Sequence, residues 1–391
     1  MEAQPVIPSV SRVRRSERAE RIDVGHRGAR TFATRVAHLH DALARDGVPF
    51  ADMRRAETLE LQLAGVPDLG RMSGATRVAD IERLEGPIVA RAVPTLPPSA
   101  SRLRYFLDGT QRTLPVWRFG LIPVTATIAA AAILVRDPAG NPTVAPGTLR
   151  LEHALLVPRR ADAPEVAGLV RAAEASGMQV VDPLDEIKDV TARAAVAEDY
   201  GRMVEVAYVC ARHMRARLET KLLVDWVNNP ARSDDDGWIV VDGRLPVAAP
   251  RALGLVKKFG ERHLAGIEAE ALLNLRPGHR TSAFRPRDEF WDVADPSDED
   301  AVVRRNEFAL WYLRLWDSAG LDARHALVRI EACLDPVESP RIDELSAWLM
   351  AERTPRATAD ARWATLLYPV HYLERILKRR LEADTYGWPG G

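Results

Sequence analysis

Two short segments of the chain repeat one pattern: Phe106-Leu107-Asp108-Gly109-Thr110 and Val240-Val241-Asp242-Gly243-Arg244 each read apolar, apolar, Asp, Gly, polar. A single Asp-Gly pair most often marks a turn at a strand end. Two such pairs inside apolar, β-branched runs argue instead for strands that carry an acid. Alternation along a strand puts Phe106, Asp108, Thr110 and Arg112 on one face, and likewise Trp238, Val240 and Asp242. A carboxylate presented from within a sheet must be neutralised or find a cation, because burying it unpaired is costly. Hard divalent cations, Mn²⁺ or Mg²⁺, answer that need through carboxylate and water oxygens.

Glu219 is the candidate third ligand. It flanks the apolar stripe through Leu218 and Leu222 on a long helical segment, from which it can lean over a sheet; the alternative is a surface glutamate paired with Arg215 at i−4. Glu205, about four turns earlier, is the reserve. Three carboxylates around two cations about 3.5–4 Å apart suit phosphodiester hydrolysis, where one ion prepares the attacking water and the other steadies the leaving oxygen. Asp234-Asp235-Asp236 reads as a hydrated turn, since consecutive acids in a loop point apart. Arg329 and Glu331 share a strand face and either pair with each other or stand at the site rim. Lys257, Lys258 and Arg280, at strand ends, and Arg112, on the Asp108 face, are the candidate contacts to a DNA backbone. Tyr368-Pro369-Val370-His371 opens the last helix, with His371 a ligand, an acid or simply a helix-start histidine.

The elements that must hold these groups follow from periodicity. Residues 1–95 show helical spacing in Phe32, Val36, Leu39 and Leu43 and in Ala56, Leu59 and Leu63, and read as a mainly helical accessory region. The proline-spaced stretch Val93 to Ser101 reads as a linker, so the main domain is expected over 96–391. Tyr105 to Arg112, Val116 to Phe119 and Ala126 to Arg136 predict a meander of strands. Met203, Ala207, Cys210, Met214, Leu218 and Leu222 predict a long helix within Asp189 to Asn229, stopped by Asn228-Asn229-Pro230. Trp238 to Leu245, Leu253 to Lys257, Arg280 to Arg285, Leu310 to Trp316 and Ala326 to Leu334 predict further strands, and Val370 to Ala383 a closing helix. The class is α/β, a mixed sheet flanked by helices.

Composition narrows the partners. With 54 Lys and Arg against 55 Asp and Glu among 391 residues, the net charge of −1 gives no bulk attraction to nucleic acid, so any DNA contact must use a local basic surface. Apolar residues at 47% and charged residues at 28% place the chain in the globular range. The two cysteines, Cys210 and Cys333, lack metal-site spacing and point to a reducing cytoplasm. The longest apolar run, Leu121 to Val135, is short for a membrane span and broken by Pro123, so no membrane association is expected.

The order of these features resembles the NurA nucleases. It comprises Leu107-Asp108-Gly109-Thr110, a helix bearing Glu219, Val241-Asp242-Gly243-Arg244-Leu245, Leu255-Val256-Lys257-Lys258, His279-Arg280-Thr281, Arg329-Ile330-Glu331 and Tyr368-Pro369, spanning about residues 100 to 380. The resemblance implies an RNase H-like sheet, a homodimer, Mn²⁺-dependent exo- and endonuclease activity on DNA, and partnership with a HerA-type hexameric ATPase in end processing, repair or defence. It further implies that Asp108, Glu219 and Asp242 are the acidic ligands and that Tyr368 is the family's C-terminal tyrosine. One departure stands out: where the family usually carries a histidine two helical turns after that tyrosine, this chain has Arg375-Ile376. The fourth ligand is therefore open. The competing expectations are a catalytically silent dimeric adaptor for a DNA translocase and another RNase H-like enzyme such as a transposase or junction resolvase.

Overall fold

The structure is a computed structural model and describes residues 32–45, 53–55, 80–137, 140–159, 164–257, 263–287, 291–293, 302–304, 307–318, 321–354 and 363–386. Its centre is a mixed sheet whose principal strands are β1 (Leu103–Phe119), β2 (Ile122–Arg136), β3 (Arg150–Leu156), β4 (Trp238–Asp242), β5 (Ala252–Val256), β6 (Ala309–Arg314) and β7 (Leu327–Ala332). The helices are α1 (Phe32–Arg45), α2 (Pro164–Ala175), α3 (Val190–Ala197), α4 (Tyr200–Val227), α5 (Gly266–Leu273), α6 (Ser339–Glu352) and α7 (Tyr368–Asp384). The strand order is β3-β2-β1-β4-β5-β7-β6. β3, β2 and β1 form an antiparallel meander, β4 and β5 add in parallel to β1, and β7 and β6 return antiparallel.

Continuous apolar sequence explains why this sheet is covered on both faces. Along β1 and β2, Phe106, Ile128, Ala130 and Ala132 turn to the side packed by Leu345 and Trp348 of α6 and by Val370, Leu373 and Leu377 of α7. Leu107, Ala129, Ala131 and Ile133 turn to the side that holds Leu218, Leu222 and Leu223 of α4. The alanine run 129–132 in the central hairpin strand keeps both surfaces shallow, which allows a long helix to lie close on each.

Several sequence expectations are refined. The expected strands Tyr105 to Arg112 and Val116 to Phe119 are one strand, irregular between Pro115 and Trp117, where a proline cannot donate to the ladder. The helix expected across Asp189 to Asn229 is two. Asp199 adopts an extended backbone and its side chain accepts from Arg202 N–H at 3.1 Å, starting α4 afresh as an N-cap. The segment Arg280 to Arg285 is two short strands, His279–Thr281 and Phe284–Pro286, with Ser282 and Ala283 between them.

Described strands before the boundary expected at 95/96 pair with strands beyond it. Short strands Ile81–Arg83 and Ala90–Ala92 pair with Phe284–Pro286 and His279–Thr281 inside the main sheet. In α1, the expected stripe Phe32, Val36, Leu39 and Leu43 is buried in the same core as β1 and α7. The second expected helical stripe, Ala56 to Leu63, lies outside the described residues. No helix among them is long and apolar enough to cross a membrane.

Candidate active site

β1 and β4 run parallel and their last shared rung pairs Leu107 with Val241. Asp108 and Asp242 are the next residues on each strand, so the two acids stand side by side where the strands part. Asp242 is in register with Leu255 of β5, and Lys257 follows that strand's end. Alternation puts all three on the face of Phe106, Val240 and Leu255, the face covered by α7. Charged groups thus gather where β4 and β5 end, beside the middle of the longer β1.

Glu219 comes from the other side. It reaches the acids because Gly109 has no side chain: a Cβ added there would stand 2.2 Å from Glu219 Oε1 and 2.9 Å from its Cδ. The glycine of the first Asp-Gly pair is therefore clearance for a carboxylate rather than a turn. The second pair differs. Gly243 has φ +126°, in the region that favours glycine, and opens a turn whose Leu245 N–H donates to Glu331 Oε2 at 3.1 Å. A Cβ on Gly254 would meet Gly243 O and Leu245 N at 2.9 Å, so β5 also needs a glycine where this turn lies against it.

The electrostatics show acids in excess. Asp108 is 5% exposed, its Oδ1 accepts the N–H of Gly109 at 2.8 Å, and its buried Oδ2 has no hydrogen-bond partner. Burial, and then the charges of Asp242, Glu219 and Glu374, hold the Asp108 carboxyl well above the ordinary range, with Lys257 opposing. Glu219 is pushed up to about 7, chiefly by burial, with Arg215 opposing and Asp242 reinforcing. Lys257 Nζ lies 2.7 Å from Asp242 Oδ2, and Arg215 Nε lies 3.6 Å from Glu219 Oε1. Among the described residues no group of three or more such side chains is arranged to hold a metal ion as it stands. The outer acids lean on basic neighbours, while Asp108 has only a neighbouring amide.

The donor chemistry suits a hard divalent cation, though the acids are not arranged around one: Asp108 has a desolvated oxygen that nothing satisfies, and Asp242 and Glu219 are further carboxylates, now paired with Lys257 and Arg215.

The remaining candidates fall in different places. His371 is in the first turns of α7 with Nδ1 3.8 Å from Glu374 Oε2, at the rim of the acids. Tyr368 begins the same helix, 49% exposed and stacked on Tyr372 with centroids 6.4 Å apart. Arg112 donates to Thr385 Oγ1 at 2.7 Å, fastening β1 to the end of α7. Glu205 is exposed and is not needed as a reserve ligand. Asp235 is not simply hydrated: it accepts from Tyr105 Oη at 2.5 Å and pairs with Arg232 at 2.7 Å, clasping its loop. Arg329 and Glu331 pair at 2.9 Å, both nearly inaccessible, and Glu331 also holds the turn after Asp242.

Two proposed DNA contacts need correction. Arg280 is fully buried, clamped by both carboxylate oxygens of Glu85 at 2.7 and 2.9 Å and by Asp343 at 2.6 Å; a guanidinium so enclosed cannot meet a phosphate. Lys257 points inward, onto Asp242, and not outward from a strand end. Lys258 lies outside the described residues. Sequence reading passed over Glu374, whose signal was available: it flanks Leu373 and Leu377 on α7 as Glu219 flanks Leu218 and Leu222 on α4.

No protein-family model and no curated protein matches this chain.

Proposed function

We propose that the protein is a metal-dependent DNA nuclease with an RNase H-like core, hydrolysing phosphodiester bonds with Mn²⁺ or Mg²⁺. The observation that carries this reading is the unpartnered, buried oxygen of Asp108 among further carboxylates, beside the end of the parallel strand that carries Asp242. The order β3-β2-β1-β4-β5, antiparallel and then parallel with an acid on β1 and on β4, supports the RNase H-like assignment. The motif order resembling the NurA nucleases supports DNA as substrate.

Two cations held by Asp108, Asp242 and Glu219 would supply Lewis acidity and a nucleophile from water at neutral pH. The chain's own contributions are positional. The diverging strands fix the spacing of Asp108 and Asp242, and Gly109 admits Glu219 from the opposite face. Without the ion, burial holds the Glu219 carboxyl up at about 7, and binding the ion would require it deprotonated. A homodimer and a HerA-type ATPase that feeds DNA to this site extend the same reading.

The test is direct. Purified protein with Mn²⁺ is expected to degrade linear DNA, and Asp108→Asn or Asp242→Asn to slow this by about a hundredfold or more with the far-ultraviolet circular dichroism unchanged. A wild-type protein inert toward single- and double-stranded DNA in both metals overturns it. A second reading, the silent adaptor, is favoured by the ion pairs that Lys257 and Arg215 already make with two of the acids. It predicts that Mn²⁺ titration gives no heat.

A further inference from the structure

The site described so far draws on β1, β4 and α4, and the sequence leaves its fourth ligand open. Helix α7 supplies an acid at the right place. Its apolar stripe, Val370, Leu373, Leu377 and Leu381, is buried on the face of the sheet that carries Asp108. Glu374 sits beside that stripe with its side chain 13% exposed, too enclosed for an ordinary surface glutamate. The helix is fastened to β1 by Arg112, which donates to Thr385 Oγ1. From that fastening, Glu374 lies back by about 16 Å of helix rise and Asp108 by about 13 Å of strand, comparable lengths along two elements that pack against each other. The charge of Glu374 is felt at Asp108, as expected of neighbours.

A collection of acids does not by itself make a site, but this one faces an atom that wants a ligand. Asp108 Oδ2 is buried and has no partner. The basic groups are distributed around it and not onto it: Lys257 is on Asp242, Arg215 is on Glu219, and Lys378 is on Glu374 at 2.9 Å. His371 lies 3.8 Å from the other oxygen of Glu374. Each peripheral acid thus has a basic partner, around a central acid with an oxygen that has none.

Resting on the nuclease reading above, we propose that Glu374 is the fourth carboxylate ligand of a divalent-cation site, contributed by α7. Lys378 is its counter-ion in the metal-free protein. The site then combines acids from two strands and from helices on both faces of the sheet, so that binding an ion also locks α7 against β1.

Isothermal titration of Mn²⁺ into the full chain tests this, read alongside manganese electron paramagnetic resonance. Wild-type protein is expected to bind, Asp108→Asn to lose binding, and Glu374→Gln to weaken it by at least about tenfold. Lys378→Ala separates a ligand from a merely structural ion pair, because it breaks the same pair while leaving the carboxylate. It is expected to tighten Mn²⁺ binding by about two- to fivefold. If wild-type protein binds no Mn²⁺, the nuclease reading fails and this inference with it. If wild type binds and Asp108→Asn does not, but Glu374→Gln binds like wild type, the inference alone is overturned. Should Glu374→Gln not fold, Lys378→Ala decides: binding unchanged or weaker overturns the assignment.

Discussion

The molecule buries ionic groups in two regions, and it treats them in opposite ways. Around Arg280, one guanidinium meets Glu85 through both carboxylate oxygens and Asp343 through Nε, and Ala283 N–H donates to the same Glu85 at 2.6 Å. Burial pushes the Glu85 carboxyl up, but the hydrogen bonds from Arg280, Ser339 and Ala283 outweigh it and hold the group below its ordinary range. Around Asp108 the balance runs the other way: burial and like charges leave the carboxyl well above its range, with one oxygen satisfied by nothing. The first region is complete within the chain. The second leaves a buried oxygen that the chain does not satisfy, and that difference, more than the number of acids, is what the proposed metal site rests on.

The comparison breaks most sharply at Arg280. Arg280→Ala strands Glu85, whose side chain is 2% exposed, and is expected to cost about 3–5 kcal/mol in urea unfolding. Mn²⁺ binding by the variant, measured where it is still folded, is expected to match wild type. A variant that kept its stability would mean the cluster is not the strut its geometry indicates.

Glu219 sharpens the other side. Its folded carboxyl lies near 7, against an ordinary 4.5, so the native state keeps a proton that the unfolded chain has released. Between those values the unfolded state binds fewer protons, so this group makes metal-free stability fall as pH rises, with the full penalty present above about 7. Glu219→Gln removes it. The variant is expected to unfold at nearly the same urea concentration as wild type at about pH 4, and to be more stable by on the order of 3 kcal/mol at about pH 8. With Mn²⁺ present the sign reverses, because the ion needs the deprotonated carboxylate that glutamine lacks. A metal-free difference that does not change with pH would place Glu219 in a wetter, less crowded setting.

Much of this arrangement was legible in the residues, and the rest was not for identifiable reasons. Asp108 and Asp242 announced themselves because a carboxylate inside an apolar alternation has few structural excuses, but the parallel pairing of their strands is long-range and no local pattern declared it. Glu219 was visible only as a flank of the Leu218 and Leu222 stripe. Which flank faces the sheet depends on how α4 is rotated, and no local pattern fixes that. Glu374 was hidden by the same ambiguity on α7, sharpened by attention to the neighbouring His371. Arg280 misled because a strand-end arginine is normally solvated; its partners Glu85 and Asp343 are far away in the chain, in segments whose pairing only the tertiary fold reveals. The strands Ile81–Arg83 and Ala90–Ala92 were missed likewise, being too short to declare themselves as members of a sheet begun elsewhere.

Gly109 offers the finest cut between fold and site. Nothing in its backbone demands glycine, because it continues the β1 ladder opposite Ala131. What demands it is Glu219 Oε1, 2.2 Å from where a Cβ would be. The obstructing atom is the far end of a flexible side chain, so Gly109→Ala is expected to displace Glu219 and leave the sheet alone. The gain of about 0.5–1 kcal/mol from replacing a glycine within a regular element offsets part of any packing loss, so thermal stability is expected to change little. Mn²⁺ affinity, by contrast, is expected to fall by about tenfold, because one carboxylate no longer reaches the site. An alanine variant with wild-type affinity would mean that Glu219 reaches the ion by another route, or does not serve it.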